Sequence, residues 1–127
     1  MKRNMDLVRE LLRWAEDAEP NAERWSDEYD QAYDHLMVAE HIRLMKEAGL
    51  VDAVLVEAQG DILKARIDRL TWDGHEFLAG ARNDTVWNKA KMIAKEKGLD
   101  LTVDLLKALL PKAAAALLGS HGLSPMS

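Results

Sequence analysis

The sequence predicts an α+β domain in which helix dominates, and three observations carry that expectation. Residues 34–50 place Val38, His41, Ile42, Leu44, Met45 and Ala48 on one broad face at helical period, opposite His35, Ala39, Glu40, Arg43, Lys46 and Glu47. Two β-like runs follow directly, 51–57 and 62–70, separated by the turn signal Gln59-Gly60-Asp61. Leu- and Ala-rich helical stretches flank both. Helix then hairpin inside a helical frame is the layout of a winged helix-turn-helix-like domain, with the hairpin as its wing. Residues 1–82 are expected to form that domain, 83–118 a C-terminal helical extension and 119–127 a flexible tail.

Each element has a local reason. Asn4 can cap a first helix over 4–18, with Asp6 favourable in its first turn and Leu7, Val8, Leu11, Leu12, Ala15 and Ala18 as its buried stripe. Trp14 lies at the stripe's edge and Pro20 stops the helix. Residues 19–33 have no clean period. Trp25, Tyr29 and Tyr33 are spaced by four, which would align them on a helix, but a short edge strand followed by a loop is the favoured reading. Asp34 offers a capping carboxylate to the central helix, and Gly49 suits the left-handed position just past its end. Leu50 then turns back onto that helix. In the hairpin, Leu63, Ala65 and Ile67 alternate with Lys64, Arg66 and Asp68.

Thr71 caps a further helix that begins Trp72-Asp73-Gly74-His75-Glu76-Phe77-Leu78, with Trp72 and Phe77 expected in the core. Gly74 costs helix propensity, so a close backbone approach is expected there. Asp84 caps a helix from 85 to about 97 that buries Val86, Trp87, Ala90 and Ile93 or Ala94, closed by Gly98. Thr102 caps a last segment with Leu105, Leu106, Leu109, Leu110, Ala113, Leu117 and Leu118 as its stripe; Pro111 should kink or divide it, since it lacks the amide for the ladder. That surplus of apolar surface raises a homodimer through the C-terminal helix.

Composition narrows the function. There is no cysteine, hence no disulfide framework, thiolate metal site or cysteine nucleophile. No apolar h-region opens the chain and no apolar run reaches membrane-spanning length, so a cytosolic location is expected. The net charge is -5, which withholds a whole-protein basic footprint. Glu16, Asp17, Glu19, Glu23, Asp27, Glu28, Asp30 and Asp34 face only Arg24 in their stretch. Setting those eight acids and one base aside from totals of 22 and 17 leaves 14 acids and 16 bases. One edge is thus acidic and the remainder mildly basic, which still allows a local phosphate-facing surface.

No motif for chemistry stands complete. His75-Glu76 matches half of a His-Glu-x-x-His zinc motif, but Ala79 occupies the second ligand position. His35 and His41 lie six apart, nearly opposite on a helix, and His41 on the inner face reads as a hydrogen-bonded core histidine. No serine sits in a nucleophile elbow and no glycine-rich phosphate loop exists. No enzyme activity, cofactor or metal is expected. Two contact functions remain, the DNA-binding one narrowly first and the protein-interaction one as its alternative. A DNA-binding regulator would use Arg43, Lys46, Lys64, Arg66 and Arg69 toward duplex DNA. A protein-interaction module would use Asp27, Glu28 and Asp30 toward a host protein. The outer face of the central helix is nearly neutral, against the Arg-, Lys- and Asn-rich faces that usually read base edges.

Several runs together resemble the domain-of-unknown-function family 2513 of small bacterial and phage proteins. They are Met1-Lys2-Arg3-Asn4-Met5-Asp6-Leu7-Val8-Arg9-Glu10-Leu11-Leu12, His41-Ile42 with Leu44-Met45, and Glu47-Ala48-Gly49-Leu50. Arg69-Leu70-Thr71-Trp72-Asp73-Gly74-His75-Glu76-Phe77-Leu78 is the densest match, followed by Asp84-Thr85-Val86-Trp87-Asn88-Lys89. The similarity reaches to about Leu110. It implies a winged-helix-like fold and a frequent home in prophages and mobile elements, and it brings no catalytic residues. That family usually has a Tyr before the central His; here Glu40 stands there and makes the helix face more acidic.

Overall fold

The computed structural model describes residues 2–19, 22–29 and 32–120. They form an α+β arrangement, mostly helical, with one three-stranded antiparallel sheet. The chain divides into two units, Met1–Leu78 and Ala79–Ser127.

The first unit opens with α1 (Met5–Glu16). Asn4 caps it, its side chain accepting from the Leu7 amide at 3.1 Å. Leu7, Leu11 and Leu12 are wholly buried, worth about 1.5–3 kcal/mol each. Ala15 and Ala18 are only half-buried, and the expected stop at Pro20 lies outside the described residues. β1 (Arg24–Trp25) and a 3-10 turn (Ser26–Glu28) follow, so among the described residues the strand-and-loop reading holds and Trp25, Tyr29 and Tyr33 lie outside any α-helix. The Ser26 hydroxyl is buried and accepts from the Ala65 amide at 3.0 Å, which fastens the turn to the sheet.

The helix α2 (His35–Glu47) packs on the sheet, the 3-10 turn and α1. Asp34 occupies its N-cap, but the carboxylate makes no capping bond and only its carbonyl receives Val38. Ala39, expected outside, is buried, and Ala48, expected inside, is exposed. Contacts from several sides widen the covered arc along the body of α2, while Ala48 lies past its last turn. His41 is fully buried: its Nε2 accepts from the Asn4 amide at 2.8 Å and its Nδ1 lies 2.8 Å from the Met37 carbonyl. An amide on one side and a carbonyl on the other require the neutral ring with its proton on Nδ1, the core histidine expected.

Gly49 adopts φ +77° and Leu50 is buried, its amide donating to Met45. β2 (Val51–Ala58) and β3 (Asp61–Leu70) form the hairpin, closed by Gln59 and Gly60 at φ 55° and 85°. Two successive positive-φ residues make the tight turn whose twist suits flanking strands. The sheet order is β1-β3-β2. Strict alternation fails in β3: Ile62, Ala65, Ile67 and Leu70 are buried and Leu63, expected beside Ala65, is exposed. The pairing shifts between Val56 and Glu57 and again between Asp52 and Ala53, leaving Leu63 and Asp68 opposite no partner. Each bulge adds one residue to β3 and resets which parity faces the core.

α3 (Trp72–Ala81) begins on a corner. The Thr71 hydroxyl donates to the Gly49 carbonyl at 2.5 Å and accepts from the Gly74 amide at 3.0 Å, while the Thr71 amide donates to the Leu50 carbonyl at 3.0 Å. A Cβ on Gly74 would stand 2.0 Å from the Leu50 oxygen, which is the expected close approach. That contact turns one side of α3 inward: Gly74, Phe77, Leu78 and Ala81 are buried. Trp72, two residues before Gly74, is about 200° around the helix. It is therefore 77% exposed and not in the core, a correction to the reading of its aromatic ring as a core element.

The second unit holds α4 (Asp84–Glu96) and α5 (Val103–Ser120), packed on each other. Asn83, not Asp84, is the cap of α4, accepting from the Val86 amide at 3.0 Å; Asp84 is the first helical residue. Gly98 closes α4 at φ +67° and the Thr102 hydroxyl caps α5 through the Leu105 amide at 3.0 Å, both as expected. Helix α5 is not divided at Pro111. Pro111 and Lys107 are both exposed, so water can serve the Lys107 carbonyl that the proline cannot. Residues 121–127 of the expected tail, with His121, lie outside the described residues.

Replacing Gly74 by Ala should lower stability by about 2–3 kcal/mol, because the Leu50 carbonyl is backbone and cannot swing aside. Gly80→Ala on the same helix meets only the Leu110 side chain at 3.8 Å and should be neutral or stabilising by up to about 1 kcal/mol. Urea unfolding of both variants checks the contrast.

Candidate interaction surfaces

The outer face of the sheet carries most of the expected cationic contacts, and the register decides their neighbours. Trp25 pairs with Arg66, Val54 pairs with Arg66, Val56 with Lys64 and Asp52 with Arg69. Arg66 Nε bonds Asp68 at 2.6 Å and its Nη1 lies 3.5 Å from Glu23. The bond to Asp68 is the main cause holding its guanidinium pKa above the ordinary range. Arg66 and Lys64 both sit over the Trp25 ring, at 5.3 and 4.4 Å from its centroid. The Trp25 indole in turn donates to Glu23 at 3.2 Å. Arg69 Nε meets Asp52 at 2.7 Å and its Nη1 donates to the Leu70 carbonyl at 3.1 Å.

On α2, Arg43 is paired with Glu40 on its own helix and lies 3.9 Å from Glu57 of the hairpin. Lys46 is exposed in the last turn. Of the five expected phosphate contacts, three thus carry carboxylate partners and Lys64 is stacked on an aromatic ring. The sequence reading missed those partners. Asp68 stands two residues from Arg66 and was open to detection, whereas Trp25, Glu23 and Asp52 needed the strand order and register.

The acidic residues behave differently. Asp27 and Glu28 are exposed on the 3-10 turn, and among the described residues neither is held in an ion pair. Asp30 lies outside the described residues. The turn is tied to its neighbours: Ser26 is bonded to β3, and Tyr29, almost wholly buried, meets Trp14 edge-on at 5.0 Å. Burial first, then the charge of Glu10 and neighbouring Tyr33, push the Tyr29 hydroxyl pKa upward.

His75 Nδ1 lies 3.6 Å from Glu16 of α1. Among the described residues no group of three His, Asp or Glu side chains could hold a metal ion. No helix among them is long and apolar enough to cross a membrane. In the second unit, Asn83, Thr85, Val86, Ala114, Leu117 and Leu118 bound an apolar cleft of about 360 Å³ at the end of α5, where the C-terminal homodimer was expected.

The fold and these surfaces define a small α+β protein built around a helix and a hairpin. The family model described as hypothetical protein (DUF2513) matches residues 2–100, and the chain belongs to that family. It is 40% identical over 109 residues to a protein of Haemophilus influenzae described as uncharacterized, covering 84% of this chain and 90% of that one. No solved structure matches.

Tyr29 gives a pH test of how firmly the acidic turn is seated. Because its folded pKa is raised, the unfolded chain ionises first as pH climbs. The contribution of Tyr29 should be intact below the ordinary tyrosine value of about 10 and fade as pH rises through the higher folded value. Urea midpoints should therefore drop more steeply above about pH 10 in the wild type than in Tyr29→Phe.

Proposed function

We propose that the first unit is a non-catalytic, winged-helix-like contact module whose acidic edge engages a basic surface on a partner protein. The element order α1, β1, short turn, α2, β2, β3 and the sheet order β1-β3-β2 support the winged-helix assignment, with the hairpin as wing. The observation that carries the choice of partner is the uneven pairing of charge. Arg43, Arg66 and Arg69 are engaged by Glu40, Glu57, Asp68, Glu23 and Asp52. A guanidinium that must first surrender its carboxylate gains less from a phosphate, and the counterion release behind duplex affinity shrinks accordingly. Asp27 and Glu28 stay exposed on a fixed turn and meet a cationic surface with no such loss. The prophage setting implied by the resemblance makes a host protein the natural partner.

A second reading, a duplex-binding regulator, is favoured by Lys46 at the exposed end of α2 and by Lys64 on the hairpin. One titration separates the two. Labelled poly-lysine and a labelled duplex of about 20 base pairs are each titrated at low and physiological salt. The protein reading expects poly-lysine binding that weakens about tenfold or more when Asp27→Lys and Glu28→Lys are combined, with no duplex binding. Duplex binding that falls steeply with salt and disappears in Lys46→Glu with Lys64→Glu would replace it with the regulator reading.

A further inference from the structure

The four tryptophans of this chain divide in an uneven way. Trp87 is buried. Trp14 has the Arg24 guanidinium 5.5 Å from its ring centroid and the edge of Tyr29 beside it. Trp25 carries Lys64 and Arg66. Trp72 is 77% exposed, and among the described residues no cation stands over it.

We propose that Trp72, flanked by Asp73 and Glu76, is the seat for a single arginine or lysine side chain from a partner protein. This rests on the reading of the unit as a contact module, but it uses neither Asp27 nor Glu28. The helix places Glu76 about 40° and His75 about 60° from Trp72 around its axis, so these three share one side. All three are exposed. His75 Nδ1 lies 3.6 Å from Glu16 of α1, and Asp73 follows Trp72 directly. The nearest base along the chain, Arg69, is held at 2.7 Å by Asp52 and by the Leu70 carbonyl, and does not serve the ring.

An exposed indole with Asp73 and Glu76 as its helix neighbours attracts a cation twice over: the quadrupole draws it to the ring and the acids draw it to the neighbourhood. The mount is also stiff. Thr71 is tied to Gly49, Leu50 and Gly74, and Gly74 lies against the Leu50 carbonyl, so the first turn of α3 is fixed before any partner arrives. A pre-set aromatic anchor loses little freedom on binding, which is the character of an interface hot spot.

The test uses the full chain with a Gly-Arg-Gly-Arg-Gly peptide and its neutral citrulline analogue, read by the indole N–H signal of Trp72 in NMR. Trp72→Phe assigns that signal. The arginine peptide should shift it saturably and the citrulline peptide should not. Trp72→Ala should weaken the peptide about three- to fivefold, while thermal unfolding stays close to wild type because the ring is exposed. Should that variant prove unstable, Asp73→Lys with Glu76→Lys gives the same loss without touching the ring. Asp27→Lys with Glu28→Lys should leave the Trp72 response in place, so this site and the acidic edge fail separately. Equal shifts from both peptides, or arginine-peptide shifts that bypass Trp72, overturn the proposal. A dimer abolished by Trp72→Ala overturns it as well, since a second copy would then be the occupant.

Discussion

The fold of the first unit depends on one corner, where the Leu50 carbonyl receives the Thr71 amide and lies directly beneath Gly74. Three chain directions meet there: the turn leaving α2 ends at Leu50, β2 begins at Val51, and β3 hands over to α3. Gly49 supplies the left-handed step that lets a helix become a strand across a turn of only three residues, 48–50, and the Thr71 hydroxyl bonds both Gly49 and Gly74. Because Val51 and Leu70 are paired next to this corner, it also sets the starting register of the hairpin. A side chain at position 74 would push α3 off the strand ends and loosen all three connections together.

From that register follows the surface. Paired strands put Asp52 beside Arg69 and Trp25 beside Arg66, and the two bulges leave Lys64, Asp68 and Arg69 away from the buried side. Bases and acids that are scattered in sequence become neighbours in space. A run that reads Lys-x-Arg-x-x-Arg along β3 is therefore mostly answered by its own carboxylates. Desolvating such a surface against a phosphate backbone costs the existing pairs, whereas the exposed acids of the 3-10 turn have no pairs to lose.

Much of this architecture was legible in the sequence because its signals are local. The central helix, the Gln59-Gly60 turn, the Asn4 and Thr102 caps, Gly49 and Gly98 as helix ends, and the tight approach at Gly74 each follow from one or a few adjacent residues. The errors share a different origin. Leu63 was misplaced because a bulge resets alternation without leaving a mark in composition. Ala39 and Ala48 were exchanged because the width of a buried face depends on what packs against it, not on helical period alone. Asp34 makes no capping bond and Asp84 is not the cap, although their residue type favours the role, because the bond itself depends on backbone direction at one position. The carboxylate partners of the sheet face were hidden for a related reason: cross-strand neighbours exist only once strand order is known.

Trp72 joins these themes. A tryptophan next to a cap and near a phenylalanine reads as core, since large aromatic surface normally leaves water. Here the glycine overrides it. Once Gly74 must face the Leu50 carbonyl, helical geometry sends Phe77, Leu78 and Ala81 inward and leaves Trp72 on the far side. Its exposure is a consequence of the same contact that organises the unit, on a helix turn tied by three hydrogen bonds. An indole held outward by the most constrained corner of the fold has a fixed position that a partner can meet, and the acids around it select the charge of what arrives.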